Sequence, residues 1–272
     1  MFSLSPMLLT ALMLLQPVQA QKAGLKLANT RLTFGEFGAT RADAKFLPGD
    51  TFYLAFDIEG IQVNSDGKVA YTMGMELLDA KNVSVFAQKP VEREEYLTLG
   101  GSRLPARAFL NIGTTQAPGI YTCKIEVFDR GTGQRRSLEQ KIEILTRNLG
   151  LVNVLYSHDQ NGELGAPPAG VVGQTMWLQC TIIGFERGTV KKQPQVDLEM
   201  AAYEKGVKIL KEPVKFTIED KVGADVALLP VQFLVPLSRP GDFTLELKVT
   251  DKVSKKVSAV TLPLRVSSAI DR

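Results

Sequence analysis

The sequence predicts an all-β chain of two tandem antiparallel β-sandwiches, and three observations carry that expectation. Apolar residues recur at every second position in many short runs, the mark of strands with one buried face. The stretch from Pro118 to Asp129 returns near the C-terminus from Pro240 to Asp251, so one unit is present twice. No amphipathic helical pattern of useful length interrupts the runs.

Composition agrees with a folded globular chain. Of 272 residues, 44% are hydrophobic and 22% charged, and the mean hydropathy is +0.02. Lys and Arg number 32 against 29 Asp and Glu, a net +3, with the signs mixed along the chain, so nothing calls for nucleic acid or an anionic surface. Met1 to Ala20 holds no charged residue, and Met7 to Leu15 is almost wholly apolar, reading as a signal peptide cleaved between Ala20 and Gln21. The missing N-terminal Lys or Arg departs from the usual pattern, and the apolar run is too short to span a bilayer. The expectation is an exported chain, periplasmic or extracellular, with no transmembrane segment after cleavage. Its two cysteines, Cys123 and Cys180, each share a strand face with apolar neighbours, so both read as unpaired core residues in separate units.

Along the chain, Leu25, Leu27, Leu32 and Phe34 mark a first strand, and Gly35 to Leu47 is irregular. After the turn at Pro48-Gly49-Asp50, Phe52, Leu54, Phe56 and Ile58 alternate with Thr51, Tyr53, Ala55 and Asp57. Val69 to Leu78 forms a third strand, Ala80-Lys81-Asn82 a hairpin turn, and Val83 to Phe86 a short partner. The polar Glu92 to Gly101 reads as a loop, and Ala106, Ala108, Leu110 and Ile112 resume the alternation. In the strand after Pro118, Tyr121, Cys123, Ile125 and Val127 share one face, and Ser137 to Leu145 closes the unit.

The second copy follows with few gaps. Gly49 to Gly60 matches Gly173 to Gly184, Pro90 matches Pro213, and Pro118 and Asp129 match Pro240 and Asp251; two single-residue deletions relate the copies. Phe52, Leu54, Phe56 and Ile58 become Met176, Leu178, Cys180 and Ile182, so inward positions stay apolar while outward ones vary. The expected division is a leader at 1–20, one sandwich at 21–147 and another at 148–272, with a linker too short for free tumbling.

Gly119-Ile120-Tyr121-Thr122-Cys123 resembles the start of the sixth strand of an immunoglobulin-like domain, where a Tyr two residues before a Cys hydrogen-bonds the preceding loop. The second copy has Phe243 and Leu245 there, and Trp177 lies on the second strand of its unit where that family has its Trp on the third. Neither unit holds the disulfide pair. The architecture is similar to the disulfide-free immunoglobulin-like and fibronectin-like modules of bacterial secreted proteins. That likeness implies fold, and a role in adhesion, scaffolding or binding.

Site-forming residues are sparse. Asp159, Asn161 and Glu163 alternate after the only histidine, His158, and could turn oxygens toward a hard cation such as calcium, although turn-forming Asp and Asn are the simpler reading. No serine sits in a nucleophile elbow, no glycine loop suits a phosphate and no cofactor motif is present, so the expectation is no enzyme and no cofactor. Tyr53 and Trp177 hold matching outward positions, suited to stacking on a sugar or anchoring a protein, or simply to packing. Arg135-Arg136, Lys191-Lys192 and Lys255-Lys256 read as solvated turn residues, and Asn82-Val83-Ser84 is a glycosylation sequon.

The functional expectation is a noncatalytic exported protein for adhesion, scaffolding or partner binding at the cell envelope, its partner another envelope or extracellular protein, or a glycan. Alternatives are a carbohydrate-binding module, a pilus-type periplasmic chaperone, or a secreted hydrolase without a local signature.

Overall fold

The computed structural model describes residues 24–268. The expected leader and its cleavage point lie outside them. Among the described residues there is no α-helix, and the chain folds as β-sandwich layers around two apolar cores.

The first sandwich contains β1 (Lys26–Leu32), β2 (Lys45–Phe46), β3 (Thr51–Glu59), β4 (Lys68–Leu78), β5 (Ser84–Tyr96), β6 (Arg103–Asn111), β7 (Gly119–Asp129) and β8 (Arg135–Ile144). One sheet runs β1-β3-β6 and the facing sheet β2-β8-β7-β4-β5. The second contains β9 (Gly150–Ser157), β10 (Gly165–Ala166), β11 (Ala169–Val171), β12 (Thr175–Ile183), β13 (Val196–Glu204), β14 (Val207–Lys208), β15 (Val214–Ile218), β16 (Leu228–Pro236), β17 (Gly241–Asp251) and β18 (Val257–Ser267). Its sheets run β10-β9-β12-β16 and β11-β18-β17-β13-β14, with β15 also paired to β13. Pairing is antiparallel except for two short parallel additions, β2 on β8 and β11 on β18.

Alternation explains the layers. Phe52, Leu54, Phe56 and Ile58 on β3 meet Tyr121, Cys123, Ile125 and Val127 on β7 in one core. Met176, Leu178, Cys180 and Ile182 on β12 meet Leu245, Leu247 and Val249 on β17 in the other. Cys123 and Cys180 are free and buried in different cores. Tyr121 Oη donates to the Ala117 carbonyl at 2.9 Å, the corner bond that the resemblance implies. Phe243 takes that place in the second copy, where the Arg239 guanidinium sits 4.8 Å from its ring centre.

The repeat is also polar. Asp129 is wholly buried and accepts from Gln62 N, Gly131 N and Thr132 Oγ1; Asp251, equally buried, accepts from Glu186 N, Val253 N and Ser254 Oγ. Each carboxylate ties the turn after its strand to the far side of the sandwich, replacing the water it lost. Asn29 and Asn153 occupy left-handed backbone at φ 52° and 50°, where β1 and β9 shift register against β3 and β12. Asn29 Nδ2 donates to Asp57 Oδ2 at 2.7 Å. Thr181, at the place matching Asp57, pairs with Val152, and Asn153 turns instead to the first sandwich.

That turn builds the junction. Asp50, 4% exposed, accepts from Arg41 Nη1 at 2.9 Å, from Thr51 N at 2.9 Å and from Asn153 N at 2.9 Å. Asn153 Nδ2 donates to the Gly49 carbonyl at 3.1 Å, and Thr51 Oγ1 donates to Asn153 Oδ1 at 2.8 Å. Arg41 lies between the rings of Phe34 and Phe46, 4.8 and 4.2 Å from their centres. Phe46 belongs to the first core, while Phe34 packs against the second and Ala39 is buried in it. The Gly35-to-Leu47 stretch is therefore a strap between the cores. Gly150 lets Leu47 close over the second sandwich: a Cβ there would stand 2.2 Å from Leu47 Cδ1.

One element differs from the sequence expectation. The partner of the third strand runs from Ser84 to Tyr96 through the stretch expected to be loop, and every residue of it is exposed. With neither face buried, no alternation marks it.

Two outcomes follow from this packing. Asp50→Ala leaves Arg41 without its carboxylate in a half-buried site and should cost about 3 kcal/mol; chemical denaturation measures it, and small-angle scattering should show a wider spread of shapes. Asp197, on β13, receives Lys215, Lys252 and Thr217. Burial pushes its carboxyl up, but these partners prevail and hold it at about 2. A depressed folded value stabilises above the ordinary carboxylate range, and that contribution is lost as pH falls toward 2. Asp197→Asn should flatten the dependence of melting temperature on pH between about 4 and 2.

Candidate binding face

The outward side of sheet β1-β3-β6 carries the densest exposed aromatic group near a predicted residue. Tyr53 on β3 lies directly opposite Phe109 on β6, their rings stacked at 5.9 Å and 26°. Phe109 is 58% exposed and Phe37, from the strap, 47%. Arg107, two residues along β6 from Phe109, places its guanidinium 4.6 Å from the Phe37 ring centre and pairs with Glu36. Burial, then the charges of Glu36 and Asp50, push the Tyr53 phenol above its usual range, so it stays a neutral hydroxyl. Phe37 borders the second sandwich, 3.5 Å from where a Cβ on Gly165 would stand. The group offers ring faces, a charged pair and a phenol where the strap meets the sheet.

Trp177 occupies the matching place on β12, half-buried, beside Ser157 and the 50% exposed Leu234. The structure thus separates the two predicted aromatics onto equivalent sheets and gives a stacked ring only to Tyr53. From Gln179, two residues along β12 from Trp177, an open cleft of about 590 Å³ is lined by the amides of Asn153, Gln160, Asn161, Gln179 and Gln232 and by Phe216 and Pro230; Trp177 itself lies outside that lining.

The acidic loop is held by its own backbone. Asp159 accepts from Leu164 N at 2.6 Å, Asn161 N at 2.9 Å and Glu163 N at 3.2 Å. These bonds, Leu164 foremost, hold its carboxyl below the usual range. Asn161, Glu163 and His158 are exposed. Among the described residues no three His, Cys, Asp or Glu side chains converge as a metal set, and no helix is long and apolar enough to cross a membrane.

Sequence reasoning places Tyr53 outward but misses Phe109, Phe37, Arg107 and Glu36. Phe109 was open to detection, since a Phe falls out of phase with Ala106, Ala108 and Leu110.

No family model matches the chain, and no curated protein matches it significantly. Among solved structures, it overlaps the C-terminal domain of the Streptococcus pyogenes antigen I/II-family protein AspA at TM-score 0.30 and 9% identity, covering 89% of this chain and 99% of that one. The Streptococcus agalactiae AgI/II polypeptide BspA C-terminal domain gives 0.31 and 10%, covering 88% and 100%. Red sea bream transglutaminase gives 0.28 and 10%, covering 92% of this chain and 32% of that one. TM-scores at this level establish neither a common fold nor a common activity.

The cysteines supply a check on this reading of the cores. Burial pushes both thiols up to about 12. At pH 8 in native buffer, neither Cys123 nor Cys180 should react with iodoacetamide over hours, while both should react in denaturant, as counted by mass spectrometry.

Proposed function

We propose that the chain is a noncatalytic exported protein, periplasmic or extracellular, that binds a partner protein in adhesion or scaffolding at the cell envelope. In this reading it divides into sandwiches at 21–147 and 148–272, and the partner docks on the Tyr53, Phe109 and Phe37 face. The exposed aromatic group carries the proposal: exposed rings beside an Arg–Glu pair have the composition of an interface hot spot. The rigid junction supports it, since the face borders both sandwiches and would be presented in one orientation. A glycan is the second reading, favoured by the amide-lined cleft near Trp177.

Crosslinking the chain from Gln21 to Arg272 in an envelope extract of its own host should recover one protein near stoichiometry. The triple change Phe37→Ala, Tyr53→Ala and Phe109→Ala should lower recovery at least tenfold with an unchanged circular dichroism spectrum. Recovery indifferent to that change would sink the aromatic face. Glycan binding lost on Trp177→Ala would favour the second reading.

A further inference from the structure

We propose that the first sandwich accepts an extended segment of another protein as a fourth strand beside β6, an aliphatic segment carrying one acidic side chain. β6 ends its sheet, with β3 on one side only. Its open groups follow from register. Ile112 N donates to the Asp50 carbonyl and Gly49 N donates to the Ile112 carbonyl, so residue 112 bonds toward the β3 side. Alternate residues of an antiparallel strand bond to opposite sides. Leu104, Ala106, Ala108 and Leu110 therefore serve β3, while Arg107, Phe109 and Asn111 turn N–H and C=O outward. Pro105 falls in the outward set, where a residue without N–H interrupts no bond to β3.

The second copy differs at the same place in two ways. Thr175 and Thr181 on β12 correspond to Thr51 and Asp57 on β3. Their β16 partners are Pro236 and Pro230, where the partners of Thr51 and Asp57 are Asn111 and Pro105. The second edge therefore lacks one donor more than the first, at Pro236 in place of Asn111. Between the sheets, Phe216 on β15 packs against Phe233 on β16, ring centres 5.0 Å apart. By register these match Val91 and Ala108: Phe216 lies opposite Leu198, which pairs Val249, and Val91 opposite Met73, which pairs Val127. Phe233 and Ala108 lie opposite Leu178 and Leu54. The first sandwich carries smaller side chains at both places and has a cleft of about 350 Å³ between β5 and β6, lined by Met73, Met75, Phe86, Arg93 and Ala108, whereas the cleft of the second sandwich runs past Phe216 and Pro230 along the amide side chains of β9 and β12.

The lining specifies the occupant. Aliphatic side chains of an added strand would fill the space beside Met73, Met75 and Phe86, and the exposed guanidinium of Arg93, which has no ion pair among the described residues, would meet a carboxylate. The site adjoins the aromatic face and shares Arg107 and Phe109 with it, while Tyr53, Phe37 and Glu36 belong to the aromatic face alone.

The test uses the chain from Gln21 to Arg272 and the nonapeptide TVTVTETVT, whose inward set is three Val and one Glu. Saturable binding is expected, with hydrogen-exchange protection appearing at the amides of Arg107, Phe109 and Asn111. N-methylation of alternate peptide residues should weaken binding at least tenfold. Arg93→Glu, an exposed change, should weaken it similarly while strengthening binding of TVTVTKTVT. No saturable binding, no protection at those three amides, or equal binding of the methylated peptide would overturn the proposal. So would protection already present in the free chain and lost on dilution, which would make a second copy the occupant.

Discussion

A carboxylate at 4% exposure needs partners to replace its water, and Asp50 finds them on both sides of the junction. Arg41 and Thr51 N belong to the first half of the chain, but the third donor, Asn153 N, belongs to the second. Satisfying Asp50 therefore fixes where β9 stands. The left-handed bulge at Asn153, which Asn29 has as well, turns its N–H toward Asp50 and its side chain toward Gly49. Arg41 extends the tie through Phe34 and Phe46 to the two cores.

Duplication made this possible, and divergence after duplication gave each copy its use. Asn29 spends its bulge inside its own sheet on Asp57, whereas Asn153 spends the equivalent bulge on the neighbour. The buried Asp129 and Asp251 have not diverged, since each holds a turn that closes its core. Edges have diverged most. The second sandwich has Phe216 against Phe233 and Pro230 and Pro236 along β16, and the first has Val91, Ala108 and Asn111 at three of those places, with one proline, Pro105, on β6.

Residues that alternate against a core were legible in the sequence. Phe52 to Ile58 and Tyr121 to Val127 announce β3 and β7, and their repetition announces the second sandwich. β5 was not, because a strand exposed on both faces has no reason to alternate. Tyr53 reads as outward from its phase, but its stacking on Phe109 depends on cross-strand register, which residues far apart in sequence do not reveal. Phe37 sits in an irregular strap with no period at all. Arg41 and Asp50 look like ordinary turn charges until the second sandwich is placed against them.

The most direct measurement is amide hydrogen exchange of the free chain by NMR, read along β6. If β6 is a free edge bonded to β3 alone, the amides of Leu104, Ala106, Ala108 and Leu110 should be strongly protected. Those of Arg107, Phe109 and Asn111 should exchange near the rate of exposed backbone. Uniform protection along β6 at every protein concentration would mean that the edge is already covered, and would contradict the structure drawn here.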